Sequence, residues 1–337
     1  MSGSFGIRTG APFTGIELEL IKEFLAYERL DYEEGIEYTV IMEDGNRIIG
    51  TGSCQGNVMK CFAIAKDCQG MGVLSQIIMS LVYYLVQRGI SHYFIFTKPK
   101  NRKIFEDMSF HELAMTEDVL LMENKKNGIQ NFLRQLQKQS AQITNGVYEM
   151  AGNNGAVVAN CNPFTLGHKY LMETAAVQCE WLNVFILSQN NQMFSEQERF
   201  QMVREGTSHI PNIIIYKASD YLISPATFPT YFMKDREQPG KANYILDLTI
   251  FCKHIVPALG IKKRFAGTEP YCKITGQYNE CMRLFLPRNG VEFIEIERLR
   301  QERTAISATN VRKKLSCKEL DGIKDLVPAS IVRYLER

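Results

Sequence analysis

Apolar residues recur at helical spacing between Ile16 and Glu28 (Ile16, Leu18, Leu20, Ile21, Phe24, Leu25), which predicts an amphipathic helix. The run Tyr38-Thr39-Val40-Ile41-Met42 then meets Asp44-Gly45-Asn46, a hairpin turn signal, and resumes as Ile48 to Gly52. A third strand, Met59 to Ala65, leads into a glycine-bearing turn at residues 67–72 and a long amphipathic helix, Val73 to Gln87, stopped by Arg88-Gly89. A strand at 92–96, a short helix near 103–106 and a strand at 117–122 complete this pattern. The polar break Asn124 to Gly128 and a polar helix at 129–142 read as a connector. From Gly155 the rhythm changes to apolar strands alternating with helices, the mark of a parallel sheet. Its strands are expected at 155–159, 182–187, 213–216, 264–266 and 292–296. The fold class is therefore α/β: an α+β unit over 1–125, a helical connector over 126–150 and a Rossmann-like parallel-sheet unit over 151–337.

Composition narrows the function. The chain has 337 residues, 45% hydrophobic and 23% charged, enough for two domains with proper cores. Lys plus Arg number 39 against 37 acidic residues, a balance that argues against nucleic acid or an anionic membrane as partner but leaves room for a small basic pocket. The longest apolar stretch, about Val73 to Val86, is too short and too interrupted to span a bilayer, and Met1 to Arg8 has no signal-peptide core. Nine cysteines without a C-x-x-C pair read as free thiols, so a reducing cytoplasm is the expected location. Five histidines without an H-x-x-x-H pair suggest no protein-held metal.

The strongest chemical signal follows the strand 156–159. Asn160-Cys161-Asn162-Pro163-Phe164-Thr165-Leu166-Gly167-His168 is a polar, proline-bent loop entering a helix, which points backbone N–H groups and the positive helix end at one spot. Gly167 would let a phosphate approach the backbone, His168 adds a donor from the first helical turn, and Asn162 and Thr165 add further donors. A plain capped turn is the bland alternative. The string resembles the N-P-x-[TH]-x-G-H signature of the nucleotidyltransferase α/β superfamily, with Thr165 in place of the first histidine of the H-x-G-H form. Near the C-terminus, Arg303 to Arg312 contains Ile306-Ser307-Ala308-Thr309-Asn310-Val311-Arg312, in which Ser307 is a natural N-cap. This resembles the superfamily's I-S-x-T-x-x-R element for the β- and γ-phosphates. Two phosphate-type elements in the expected order, roughly 140 residues apart, are hard to obtain by chance.

Between them, Phe194 to Val203 resembles the superfamily's S-x-x-x-R-x-x-M-V helix, and also reads simply as a capped amphipathic helix. Gly267-Thr268-Glu269-Pro270-Tyr271 follows a strand at the carboxyl edge where open α/β sheets bind ligands. With Ile274 to Asn279 it closely resembles the G-x-E-P … T-x-x-Y-N block of the citrate lyase ligases, a likeness that extends to the whole chain. In the N-terminal unit, Gln69-Gly70-Met71-Gly72 resembles the Q-x-x-G-x-G turn of GNAT acetyltransferases, which receives the pyrophosphate of coenzyme A; Leu74 replaces the last glycine.

The resemblance implies an ATP-dependent ligase that makes acetyl-adenylate. It would then acetylate the thiol of the phosphoribosyl-dephospho-CoA group on the citrate lyase acyl carrier subunit. ATP is the implied substrate, with Mg²⁺ bridging its phosphates. Implied ATP-site residues are Asn162, Pro163, Thr165, Gly167, His168, Thr268, Glu269, Ser307, Thr309 and Arg312, with Thr165 and His168 catalytic. Within that set Glu269 would contact ribose or adenine, and Gln69, Gly70 and Gly72 would hold the CoA-like arm. Two rivals stay open: an adenylyltransferase acting on a phosphorylated small molecule, and an acetyl-CoA-dependent acetyltransferase or carrier-binding module built on the N-terminal unit.

Overall fold

The computed structural model describes residues 5–33, 35–188, 193–223, 240–270, 272–301, 304–317 and 322–335; Tyr271 and Arg303 of the strings above lie outside them. The chain divides into two compact units, Met1–Gly128 with Pro225–Thr249, and Ile129–Ser224 with Ile250–Arg337.

Unit 1 runs β1 (Gly6–Gly10), α1 (Gly15–Tyr27), β2 (Tyr38–Asp44), β3 (Arg47–Gln55), β4 (Val58–Ile64), α2 (Val73–Gln87), β5 (Phe94–Thr97), α3 (Arg102–Glu106), β6 (His111–Met115) and β7 (Leu120–Glu123). The sheet order is β1-β2-β3-β4-β5-β7-β6, antiparallel except at β4 and β5. This α+β arrangement fits the GNAT-like expectation. Helix α2 buries Val73, Ile77, Leu81 and Leu85, a stripe at i, i+4 spacing, in one core cluster with Val40, Met42, Ile49 and Met59 of β2, β3 and β4. The β4–β5 ladder covers only Val58/Phe94 and Met59/Ile95. Beyond it lies a cavity of about 550 Å³ lined by Phe62 and Ile64 of one strand and Phe96 and Thr97 of the other. Strands β1 and β6 were not expected from the pattern. β1 is an edge strand with mostly exposed side chains, held by its backbone ladder to β2 and by Arg8 on Glu43, so its own hydrophobicity carries little signal.

The second unit contains α4 (Gly128–Ile143), β8 (Asn154–Ala159), α5 (Leu166–Ala176), β9 (Leu182–Ile186), α6 (Glu196–Gly206) and β10 (Ile213–Lys217). After α7 (Gly240–Ile250), most of which groups with unit 1, come α8 (Val256–Leu259), β11 (Ile261–Gly267), α9 (Lys273–Phe285), β12 (Glu292–Ile296), α10 (Ala308–Ser316) and α11 (Ala329–Leu335). All five strands are parallel, in the order β10-β9-β8-β11-β12. The chain leaves β8 toward β9 on one side, while β11 pairs on the other, so the strand order reverses between β8 and β11. Ligands bind at such a switch point, outside the carboxyl ends of the strands. Helix α4, read from the sequence as a connector, packs on this sheet: Gln139 Nε2 donates to Ile215 O at 2.7 Å and Ser140 Oγ meets the Tyr216 hydroxyl at 2.6 Å.

Candidate active site

The loop leaving β8 is built to present α5. Asn162 is 3% exposed, and its Oδ1 accepts the Phe194 N–H at 3.2 Å, so this side chain fastens the loop to the entry of α6. Pro163 and Phe164 are buried beside it, the Phe164 ring stacking on the His168 imidazole at 5.9 Å. Thr165 is the N-cap of α5, as its residue type favours. Its hydroxyl accepts the His168 N–H at 3.4 Å, and its own N–H donates to His168 Nδ1 at 3.1 Å. This is a capping box in which an imidazole takes the place usually filled by Glu or Gln. Because Nδ1 accepts that hydrogen bond, the neutral imidazole carries its proton on Nε2. Burial, then the charges of Arg298 and Arg312, push the His168 pKa down to about 4. His168 is therefore a neutral Nε2–H donor through the physiological range.

The second phosphate-type element meets the first. Ser307 caps α10, its Oγ accepting the Asn310 N–H at 3.2 Å. One turn on, the Arg312 guanidinium donates to the Asn162 carbonyl through Nη1 and to Thr309 Oγ1 through Nη2 at 3.1 Å. A Cβ at Gly167 would stand 3.2 Å from the Ile306 carbonyl oxygen. The glycine thus lets the α5 N-terminus lie against the backbone that leads into α10. Of the first α5 amides, Leu166 N–H is taken by Leu326 O at 2.9 Å, whereas Gly167 N–H makes no hydrogen bond among the described residues.

The third contributor is the end of β11. Thr268 N–H donates to Ile296 O at 2.9 Å, and Thr268 Oγ1 accepts the Arg298 N–H at 3.2 Å. Arg298 Nε donates to Thr268 O at 2.6 Å and Nη2 pairs with Glu269 Oε2. Glu269 Oε1 accepts the Cys272 N–H at 3.1 Å, so both carboxylate oxygens have protein partners. Asn279 on α9 donates to Gly267 O at 3.0 Å and Glu295 Oε1 at 2.8 Å, which explains an asparagine at that place in the T-x-x-Y-N string.

A family profile described as the citrate lyase ligase C-terminal domain matches residues 154–335, and so covers all of these elements. The chain belongs to the citrate lyase ligase family. It is 35% identical over 323 residues to the [Citrate [pro-3S]-lyase] ligase of Escherichia coli K12, covering 94% of this chain and 89% of that one. It is 37% identical over 331 residues to the [Citrate [pro-3S]-lyase] ligase of Haemophilus influenzae, covering 95% and 96%. Among solved structures, an acyl-CoA N-acyltransferase from Pseudomonas aeruginosa aligns with 36% of this chain and 99% of its own, at 8% identity and a TM-score of 0.31.

Two residues of this family member escaped the sequence reading. Arg199, quoted only within the α6 string, is fully buried. Its Nη1 donates to Asn160 O, Asn160 Oδ1 and Leu187 O at 3.0, 2.7 and 2.8 Å, and its Nε to Phe194 O at 3.2 Å. It ties the ends of β8 and β9 to the start of α6; its spacing of four from the Ser195 cap was the available signal. Arg298 had no signal, because its partners Thr268 and Glu269 lie about 30 residues earlier, in the loop that follows β11.

The unit 1 turn stands at the cavity already noted. Gly70 and Gly72 have φ of +81° and +78°, and a Cβ at either would meet nothing within 4 Å. Gln69 Nε2 donates to Ile64 O at 3.4 Å. Lys98, Lys100 and Asn101 line the same cavity, as does Glu28, whose buried Oε1 has no hydrogen-bond partner among the described residues.

Proposed function

We propose that this chain is an ATP-dependent acid–thiol ligase that activates acetate as acetyl-adenylate and acetylates the phosphoribosyl-dephospho-CoA thiol of the citrate lyase acyl carrier subunit. AMP and pyrophosphate are released. The observation that carries this reading is the convergence of two helix N-termini, α5 and α10, with Arg312 joining them through Asn162 O. Family membership names the chemistry. Acetate attacks the α-phosphate in line; its new O–P bond forms as the bond to the β-phosphate oxygen breaks, with pyrophosphate leaving. The carrier thiolate then attacks the acetyl carbon and expels AMP.

The protein's part is positioning and preorganised donors. Gly167 N–H and His168 Nε2–H face the phosphate whose charge grows, and the neutral imidazole still carries the Nε2–H that this role needs. Thr165 acts through His168 by fixing its tautomer. Ser307, Thr309 and Arg312 take the departing pyrophosphate. Asn162, Pro163, Thr268 and Glu269 shape the walls through the contacts above, Glu269 acting by way of Arg298. Mg²⁺ on ATP supplies charge neutralisation. On this reading the ion is held mostly by phosphate and water. The CoA-like arm is assigned to the unit 1 cavity, with Gln69, Gly70 and Gly72 at its phosphate end. The cytoplasm, where thiols stay reduced, is the proposed setting because no disulfide joins the nine cysteines among the described residues; among those residues no helix is long and apolar enough to cross a membrane.

Incubation with Mg-ATP, labelled acetate and deacetylated citrate lyase tests this. Labelled lyase and free AMP, dependent on both ATP and acetate, are expected. Acetylation from acetyl-CoA without ATP, or AMP retained in the product, overturns it.

A further inference from the structure

We propose that Arg298 is the acetate-binding residue, its Nη1 holding one carboxylate oxygen so that the other faces the α-phosphate. This deepens the ligase reading and rests on it. Arg298 follows β12, whose Ile296 pairs with Gly267 at the carboxyl end of β11, so it stands on the β11 side of the switch point. Three contacts fix it: its N–H on Thr268 Oγ1 at 3.2 Å, Nε on Thr268 O at 2.6 Å and Nη2 on Glu269. Nη1 makes no hydrogen bond among the described residues, and the side chain is 24% exposed. It is thus a rigid donor with two N–H bonds unspent. Its charge is felt at His168, which puts it in the same electrostatic site as the proposed phosphate donor.

Glu269 decides which anion suits this donor. The Arg298–Glu269 pair is neutral overall, so a polyphosphate would meet the Glu269 carboxylate as well as the guanidinium and gain little. A small monoanion needs only a directed, charge-assisted hydrogen bond, which the pair supplies. The triphosphate already has Arg312 and two helix N-termini, none of which is neutralised by a paired carboxylate in the described contacts. The nucleophile, itself an anion approaching an anion, gains from a cation of its own. No proton changes hands in the step: the acetate oxygen bonds to the α-phosphorus as the bond to pyrophosphate breaks.

Acetate-dependent ATP–pyrophosphate exchange in wild type, R298K and R298Q tests the assignment, with ATP binding measured by calorimetry on the same proteins. R298Q is expected to raise KM for acetate about tenfold or more, as for loss of one charge-assisted bond, with KM for ATP within about threefold. R298K, which keeps the charge but not the fork, should fall between. An unchanged acetate KM in R298Q, or an ATP KM or ATP affinity that worsens in step in R298K, overturns the proposal. Wild-type exchange that ignores acetate instead overturns the ligase reading itself.

Discussion

Arg312 donates to the main-chain carbonyl of Asn162, 150 residues away in sequence, and so closes the α10 element onto the loop that presents His168. Burial lowers the Arg312 pKa from its ordinary value, though a guanidinium remains charged. Lysine has one point of attachment and cannot serve Asn162 O, Thr309 Oγ1 and a phosphate together. Arg312→Lys is expected to cut kcat/KM for ATP in exchange by roughly 10- to 100-fold, about 1.4–2.7 kcal/mol of transition-state stabilisation. Steady-state exchange kinetics check this, and a loss below threefold contradicts the assignment.

His168→Ala should slow acetate-dependent exchange by about 10²–10³-fold, the usual loss for one preorganised transition-state donor. Near-normal exchange in that variant would sink the mechanism.

The imidazole also makes a pH prediction. Its folded pKa, about 4, lies below the ordinary 6.5, so between these values the unfolded chain binds a proton that the native chain does not. The stabilisation linked to His168 is complete above 6.5 and is lost as pH falls toward 4. Nitrogen-15 shifts of His168 should report the neutral Nε2–H tautomer at pH 5.5, and the activity profile should show no titration of this ring between pH 5.5 and 8. A His168 titration near 6.5 refutes the tautomer assignment.

Gly167→Ala places a Cβ 3.2 Å from Ile306 O, tight enough to shift α5 against the backbone leading to α10. Because alanine is the better helix former by up to about 1 kcal/mol, the fold should be kept while the ATP site is displaced. The expected signature is an ATP KM raised by roughly tenfold with an unchanged melting temperature, each read directly.

Arg199→Met should behave in the opposite way. The guanidinium is fully buried and serves four acceptors, and truncation leaves those carbonyls unpaired. A loss of about 3 kcal/mol or more in urea unfolding of the full chain is expected, with activity falling because the loop at residues 160–165 loosens.

Local pattern made much of this molecule legible. The i, i+4 stripe of α2 was readable because burying a helix face demands that period. Strands β8, β9 and β10 announced themselves as near-continuous apolar runs, since both faces of a parallel sheet are covered. β1 and β6 stayed hidden: an edge strand needs a partner's backbone more than its own hydrophobicity.

For the site, the sequence alone determined the residue types that can meet phosphate and the caps that start α5 and α10, because capping is settled within four residues. Only the tertiary structure decided that Gly167 faces Ile306, that Glu269 is held by Arg298 and that Arg312 reaches Asn162. These contacts join segments that the strand order brings together at the switch point, and no local rule carries information across 150 residues.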